Sequence, residues 1–248
     1  MPTAPPPWPY PRWIAHRGAG KLAPENTLAA FRVGAGYGWR MFECDAKLSS
    51  DGVLFLMHDT DLERTTNGRG KGGDQTWGAL AQLDAGGWHS RRFAGEPLPT
   101  LERIARWCLA NGLHLNIEIK PTPGTELETG RAVALLAARL WQGRTPPLLT
   151  SFQPLALEGA RQGAGALPRG LLLDAPHPDW IGTATGLGCV AMVCNYTLWN
   201  ADTVAAAHAA GLRCLSYTVN DEPAAEQLWR LGTDGIITDR VDLFSPAA

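Results

Sequence analysis

The chain has 248 residues, 45% of them apolar and 19% charged, with a formal net charge of −2. That composition suits a soluble globular protein with a sizeable core, and it offers no polybasic face for nucleic acid or anionic lipid. Five cysteines, an odd number without a C-x-x-C pair, read as buried thiols in a reducing compartment.

In chain order, residues 1–12 are proline-rich and are expected to form a terminal arm ahead of one domain over 13–248. No charged region precedes an apolar stretch there, and no apolar run is long enough to span a bilayer, so a cytoplasmic location is expected. Trp13-Ile14-Ala15 reads as a short strand ending at His16-Arg17-Gly18. A glycine-rich turn and Pro24-Glu25-Asn26 follow, with Asn26 placed as the N-cap of a helix carrying Leu28, Phe31 and Ala35 at helical spacing.

The stretch Met41 to Asp59 is the centre of the pattern. Glu43 and Asp45 stand one residue apart on a strand, so both carboxylates face the same way. Ser50-Asp51-Gly52 reads as a hairpin turn, and the return run Val53 to Met57 carries His58 back to a place roughly opposite Glu43. Periodicity then lapses until Thr100, which predicts an insertion over about 60–98, a length that usually carries function. Within it, Gly68 to Gly73 resembles a phosphate-cradling loop but lacks the G-K-[ST] ending and a preceding strand.

From Thr100, a helix cap, the alternation is regular. Strands are predicted near Leu113–Ile119, Leu148–Phe152, Gly170–Leu173, Cys189–Cys194, Leu212–Val219 and Asp234–Thr238, with helices between them. Repeated βα units of this length, with apolar strands, point to a (β/α)8 TIM barrel over a doubly wound open sheet. Nine strand-like runs are one too many, and Val53–Met57 is assigned to the rim as the extra. His16, Glu43, Glu118, Lys120, Phe152, Tyr217 and Asp239 then fall at the C-terminal ends of different strands, where barrel active sites are built.

Glu43, Asp45 and Glu118 would bring three carboxylates together, an arrangement that is costly unless a cation lies among them, and an oxygen-only set suits Mg2+ or Ca2+. Three carboxylates and a divalent cation sum to −1, and Arg17 with Lys120 brings the site to +1, which a phosphodiester monoanion would neutralise. Arg17 offers a planar fork and Lys120 a point charge for phosphate oxygens. His16 and His58 could divide the proton transfers. His89, His114, His177 and His208 lie away from the strand ends and are read as surface or structural, and the Asn195-Tyr196-Thr197 sequon as chance.

His16-Arg17-Gly18, Pro24-Glu25-Asn26-Thr27, Glu43-Cys44-Asp45, His58-Asp59 with Leu62-Glu63-Arg64-Thr65-Thr66, Ile117-Glu118-Ile119-Lys120, Tyr217-Thr218-Val219-Asn220 and Asp234 to Asp239 resemble, in order and spacing, the glycerophosphodiester phosphodiesterases. The resemblance covers nearly the whole chain and is to a short, cytosolic, bacterial type. It implies a TIM barrel with a small insertion after the hairpin, and hydrolysis of glycerophosphodiesters to sn-glycerol 3-phosphate and an alcohol. It also implies that Glu43, Asp45 and Glu118 hold the metal, that His16 and His58 are the acid/base pair, and that Arg17 and Lys120 bind phosphate. Tyr217 replaces the tryptophan common in the family, and with Phe152 it would wall the pocket against the glycerol.

The nucleophile is left open between water and the neighbouring glycerol hydroxyl, and the oligomeric state between monomer and homodimer. The rival readings are a phosphodiesterase acting on lysophospholipids or phosphoinositides, and an inactive phosphodiester-binding module. No stable membrane association is expected, Trp77, Trp88 and Phe93 of the insertion being the only candidates for lipid contact.

Overall fold

Apolar strands buried on both faces need cover inside and out, and here they obtain it by closing on themselves. The computed structural model describes residues 8–246. The first half of the chain contains β1 (Trp13–Ala15), α1 (Leu28–Gly36), β2 (Met41–Leu48), β3 (Leu54–Leu56), α2 (Trp77–Leu80), α3 (Leu101–Ala110) and β4 (His114–Ile119). The second half continues with α4 (Glu126–Leu140), β5 (Leu148–Ser151), α5 (Pro154–Ala164), β6 (Arg169–Leu173) and α6 (Trp180–Gly186). It ends with β7 (Ala191–Asn195), α7 (Ala201–Ala209), β8 (Arg213–Tyr217), α8 (Glu222–Leu231) and β9 (Gly235–Thr238).

Among the described residues, eight parallel strands form a closed TIM barrel, β1 pairing with β9 on one side and β2 on the other. The ninth strand, β3, runs antiparallel to β2 and stays outside the barrel wall. Its register pairs Ala46 with Leu56 and Leu48 with Leu54. Met57 therefore aligns with Asp45, donating its amide to the Asp45 carbonyl at 3.0 Å. His58 lies one residue short of the expected place opposite Glu43, because the turn closes where the Ser49 amide donates to the Val53 carbonyl at 3.0 Å.

Strand alternation divides the core. On β2, Phe42, Cys44, Ala46 and Leu48 join the layer between strands and helices, while Met41 joins Ile14, Leu148, Leu172, Val193, Leu215 and Ile237 inside the barrel. Fully burying one such side chain contributes about 1.5–3 kcal/mol. Local signals place the helices: Thr100 and Asp221 accept amides of the first turns of α3 and α8, and Pro154 opens α5. The five cysteines are buried and unpaired.

Of the proline-rich arm, residues 1–7 lie outside the described residues. Tyr10 is buried at the base of the barrel interior, its hydroxyl donating to the Pro146 carbonyl at 2.9 Å and its ring edge-on to His114. The stretch between β3 and α3 is short turns and α2 around a small core of Phe55, Met57, Leu62, Leu80, Ala85 and Leu98. In its glycine-rich loop the Gly70 amide donates to the Glu63 carboxylate at 2.9 Å and the Gly72 amide to the Thr60 carbonyl at 3.0 Å, so both donors are already engaged within the protein. No helix among the described residues is long and apolar enough to cross a membrane.

Candidate active site

The C-terminal ends of the strands enclose a cavity of about 360 Å3 whose lining includes His16, Arg17, Glu43, His58, Glu118, Lys120, Phe152 and Tyr217. Eight of the nine residues singled out from the sequence thus line one cavity, and the ninth, Asp45, is buried beside it. Parallel register sets Asp45 of β2 directly beside Glu118 of β4, and alternation puts Glu43 on the same face. One oxygen from each of the three carboxylates lies within 4.8 Å of the others.

This crowding is electrostatically expensive. Burial, followed by the charges of Asp45 and Glu118, pushes the Glu43 carboxyl well above the usual range. Burial and Asp45 likewise raise Glu118, against the pull of Lys120, to about 7. Burial would raise Asp45 too, but Arg17, His58, Lys120 and a hydrogen bond from Asn26 outweigh it and hold the group at about 2. Glu43 Oε1 and Asp45 Oδ1 are buried without a hydrogen-bond partner. Buried, unpartnered carboxylate oxygens in an all-oxygen set fit a hard divalent cation.

The basic groups surround the cluster. Arg17 donates its backbone amide to Glu43 Oε2 at 3.0 Å and its guanidinium to Glu25 Oε1 at 2.9 Å, with Nε 3.4 Å from Asp45 Oδ2. Its φ of +51° is sparsely populated for a residue with a side chain and aims both donors inward. Lys120 Nζ lies 2.8 Å from Glu118 Oε1, 3.0 Å from His58 Nε2 and 5.4 Å from the Phe152 ring centre. Phe152 meets Tyr217 edge-on at 5.8 Å, and the Tyr217 hydroxyl is tied to the Leu173 carbonyl at 2.9 Å.

Each histidine has its own carboxylate. His16 Nδ1 is 2.7 Å from Asp239 Oδ1, and His58 Nδ1 is 2.7 Å from Asp59 Oδ1. An ionised carboxylate only accepts, so Nδ1 carries the proton in both rings and Nε2 is left for chemistry. Burial, with Arg17 and Lys120, lowers the His58 pKa against the pull of Asp45, favouring the neutral ring. Asp239 is itself held by Asn220, whose amide donates to Oδ2 at 3.0 Å and accepts the Asp239 amide at 2.9 Å. The loop from β1 crosses Asp239 so closely that a Cβ on Gly20 would stand 2.0 Å from the Asp239 carbonyl oxygen.

Four supporting side chains escaped the sequence reading. Asn26 is not the N-cap: Thr27 accepts the Ala30 amide at 3.2 Å instead. Asn26, with φ +60°, turns inward and bonds Asp45 with both ends of its amide, at 2.8 and 3.0 Å. Its signal was its place in Pro24-Glu25-Asn26-Thr27, where cap and inward-turned neighbour look alike. Asp59 and Asn220 appeared only inside motifs. Lys47, on the same face as Glu43 and Asp45, is buried with Nζ 3.2 Å from the Lys120 carbonyl, and burial lowers its pKa to about 8.

Comparison with known proteins gives a consistent result. Residues 16–243 match the model of the glycerophosphoryl diester phosphodiesterase family. A glycerophosphodiester phosphodiesterase of Caldanaerobacter subterraneus is 32% identical over 227 residues, covering 91% of this chain and 93% of that one. Another, from Bacillus subtilis, is 30% identical over 255 residues, covering 93% and 84%. The structure of an Oleispira antarctica phosphodiesterase in complex with the product sn-glycerol-3-phosphate superposes with a TM-score of 0.90 at 33% identity, covering 96% of this chain and 97% of that one.

Proposed function

The chain belongs to the glycerophosphoryl diester phosphodiesterase family and is a glycerophosphodiester phosphodiesterase, and from that premise we propose that it hydrolyses its substrate to sn-glycerol 3-phosphate and an alcohol by two-histidine catalysis over a carboxylate-held divalent cation. The observation that carries the reading is the matched pair of rings: His16 and His58 each have Nδ1 engaged by a carboxylate at 2.7 Å, and both line the cavity beside three buried acids.

Glu43, Asp45 and Glu118 would hold the cation, Mg2+ or Ca2+ by donor type, and it would supply Lewis-acid polarisation of the phosphoryl group. The chain's own groups do the rest. Arg17 and Lys120 take the non-bridging phosphate oxygens, leaving a site of near-zero net charge. His58 Nε2, whose lone pair faces Lys120 Nζ, takes the proton of the attacking hydroxyl, that of water or of the neighbouring glycerol. His16, acting as the imidazolium with its second proton on Nε2, gives that proton to the departing alcohol oxygen. Phe152 and Tyr217 form the apolar wall against which the glycerol moiety packs. Both histidines lining one cavity with Glu43 and Glu118, and Asp45 buried beside it, argue against a pocket kept for binding alone.

The test is release of sn-glycerol 3-phosphate from glycerophosphocholine and glycerophosphoethanolamine with Mg2+, with Ca2+ and with EDTA, alongside Glu43→Ala. Turnover abolished by chelator, restored by one cation and absent in the variant supports the reading. Turnover that survives both treatments removes the carboxylate metal site from it.

A further inference from the structure

We propose that Arg64 is a positioning residue that holds the His58 ring and the Arg17 guanidinium in fixed relation to each other through two carboxylates, Asp59 and Glu25. This rests on the reading of His58 as an acid/base group and Arg17 as a phosphate binder. The Arg64 guanidinium lies between the two acids. It donates from Nε to Asp59 Oδ2 and from Nη2 to Asp59 Oδ1 at 2.9 Å. On the other side, Nη1 donates to Glu25 Oε2 and Nη2 to Glu25 Oε1, both at 2.8 Å. Four of its five N–H donors are thus used on four carboxylate oxygens.

The two carboxylates are the ones that touch the working groups. Asp59 Oδ1 is the atom facing His58 Nδ1 at 2.7 Å, and Glu25 Oε1 is the atom receiving the Arg17 guanidinium at 2.9 Å. One planar fork therefore sets the rotation of both acids, and each acid sets one group in the cavity. Without it, two like charges would face each other, Asp59 held only by His58 and Glu25 only by Arg17.

Arg64 is itself presented by a rigid turn. Thr66 sends its amide and hydroxyl back to the Leu62 carbonyl at 3.1 and 2.6 Å, and Leu62 is buried in the small core under β3. The Arg64 side chain, however, is 44% exposed, a setting in which ion pairs add little to folding stability. Four directed bonds in such a place serve orientation. Lysine cannot substitute, because a single ammonium has no fork to align two carboxylate planes.

The experiment measures kcat and KM for glycerophosphocholine in the wild type, Arg64→Gln, Arg64→Lys, Asp59→Asn, Glu25→Gln, and the doubles of Arg64→Gln with each acid variant. The His58 ring nitrogens are followed by 15N NMR in the same proteins, and thermal melts verify folding. Arg64→Gln is expected to lower kcat and raise KM, each by about tenfold, the scale of losses from modest misplacement. Arg64→Lys should fail to restore both. Adding Arg64→Gln to Asp59→Asn should lower kcat no further, and adding it to Glu25→Gln should raise KM no further, since coupled residues are not additive.

Values of kcat and KM within about twofold of wild type in Arg64→Gln, or losses that add in full to those of the acid variants, overturn the proposal. Should Arg64→Gln fail to fold, Arg64→Lys carries the same comparison. Absence of turnover in the wild type would instead defeat the functional reading. The NMR arm then decides on Arg64: an Nδ1-protonated ring in the wild type that loses this form in Arg64→Gln supports the positioning role, and an unchanged ring overturns it.

Discussion

Asn26 grips Asp45 from both sides, donating from Nδ2 to its carboxylate at 2.8 Å while Oδ1 accepts its backbone amide at 3.0 Å. The bond leaves Asp45 Oδ1 unpartnered and fixes where it points. A residue in a sparsely populated backbone conformation thus orients one member of the acidic cluster before any ligand arrives.

Replacing Asn26 with alanine should therefore weaken divalent-cation binding by about 10- to 100-fold, the usual effect of removing a side chain that orients a metal ligand. Isothermal titration with Mg2+ and Ca2+ measures it. A cation affinity equal to that of the wild type would show that Asp45 is held by its other neighbours.

His16→Ala and His58→Ala should each lower kcat by about 10²–10⁴-fold, the span of general acid–base catalysis. The double variant should fall well short of the product of the two losses, because the rings serve one reaction. Steady-state kinetics with glycerophosphoethanolamine supplies the three numbers.

Asp239 links the site to acid stability. Burial would raise its pKa, but the hydrogen bond and charge of His16, with help from Asn220, bring it from 3.8 down to about 2. A carboxyl with a depressed folded pKa contributes stability above its unfolded pKa and loses it as pH falls through the folded one. Asp239 should contribute about 2 kcal/mol above pH 4, lost between about pH 4 and 2. Urea denaturation across that window should show a shallower decline in Asp239→Asn, whose kcat should also drop because its amide no longer imposes one tautomer on His16.

Tyr10 tests the opposite end of the barrel. It is buried against the interior core and far from the catalytic groups in the fold. Tyr10→Ala should cost about 3 kcal/mol, as for other large aromatic truncations, with kcat and KM unchanged in the protein that remains folded. Equal loss of stability in Tyr10→Phe would assign the effect to the bond with Pro146 instead of the ring.

Local features were legible in the sequence. Period-two alternation announced that Glu43 and Asp45 share a face, Thr100 announced its helix, and the repeated βα units announced the barrel. Partners far apart in the chain were not legible. Nothing near Asn26 says that its amide turns inward to Asp45, 19 residues on, and nothing near Arg64 names Glu25, 39 residues back. The stretch from 60 to 98 has no period to read because turns and a small local core, instead of long helices or strands, hold it together. The one-residue error at His58 came from the hairpin, where register depends on how the turn closes.

The bond between His16 and Asp239 joins residues 223 positions apart. β1 is only three residues long, and its principal partner is β9, the last strand of the barrel. During synthesis His16 precedes its carboxylate partner by all the other strands of the barrel. A stalled or prematurely ended chain would carry Glu43, Asp45, His58 and Glu118 without a correctly held His16. Truncation ahead of β9 thus removes from β1 its principal parallel neighbour and from His16 its carboxylate in a single cut.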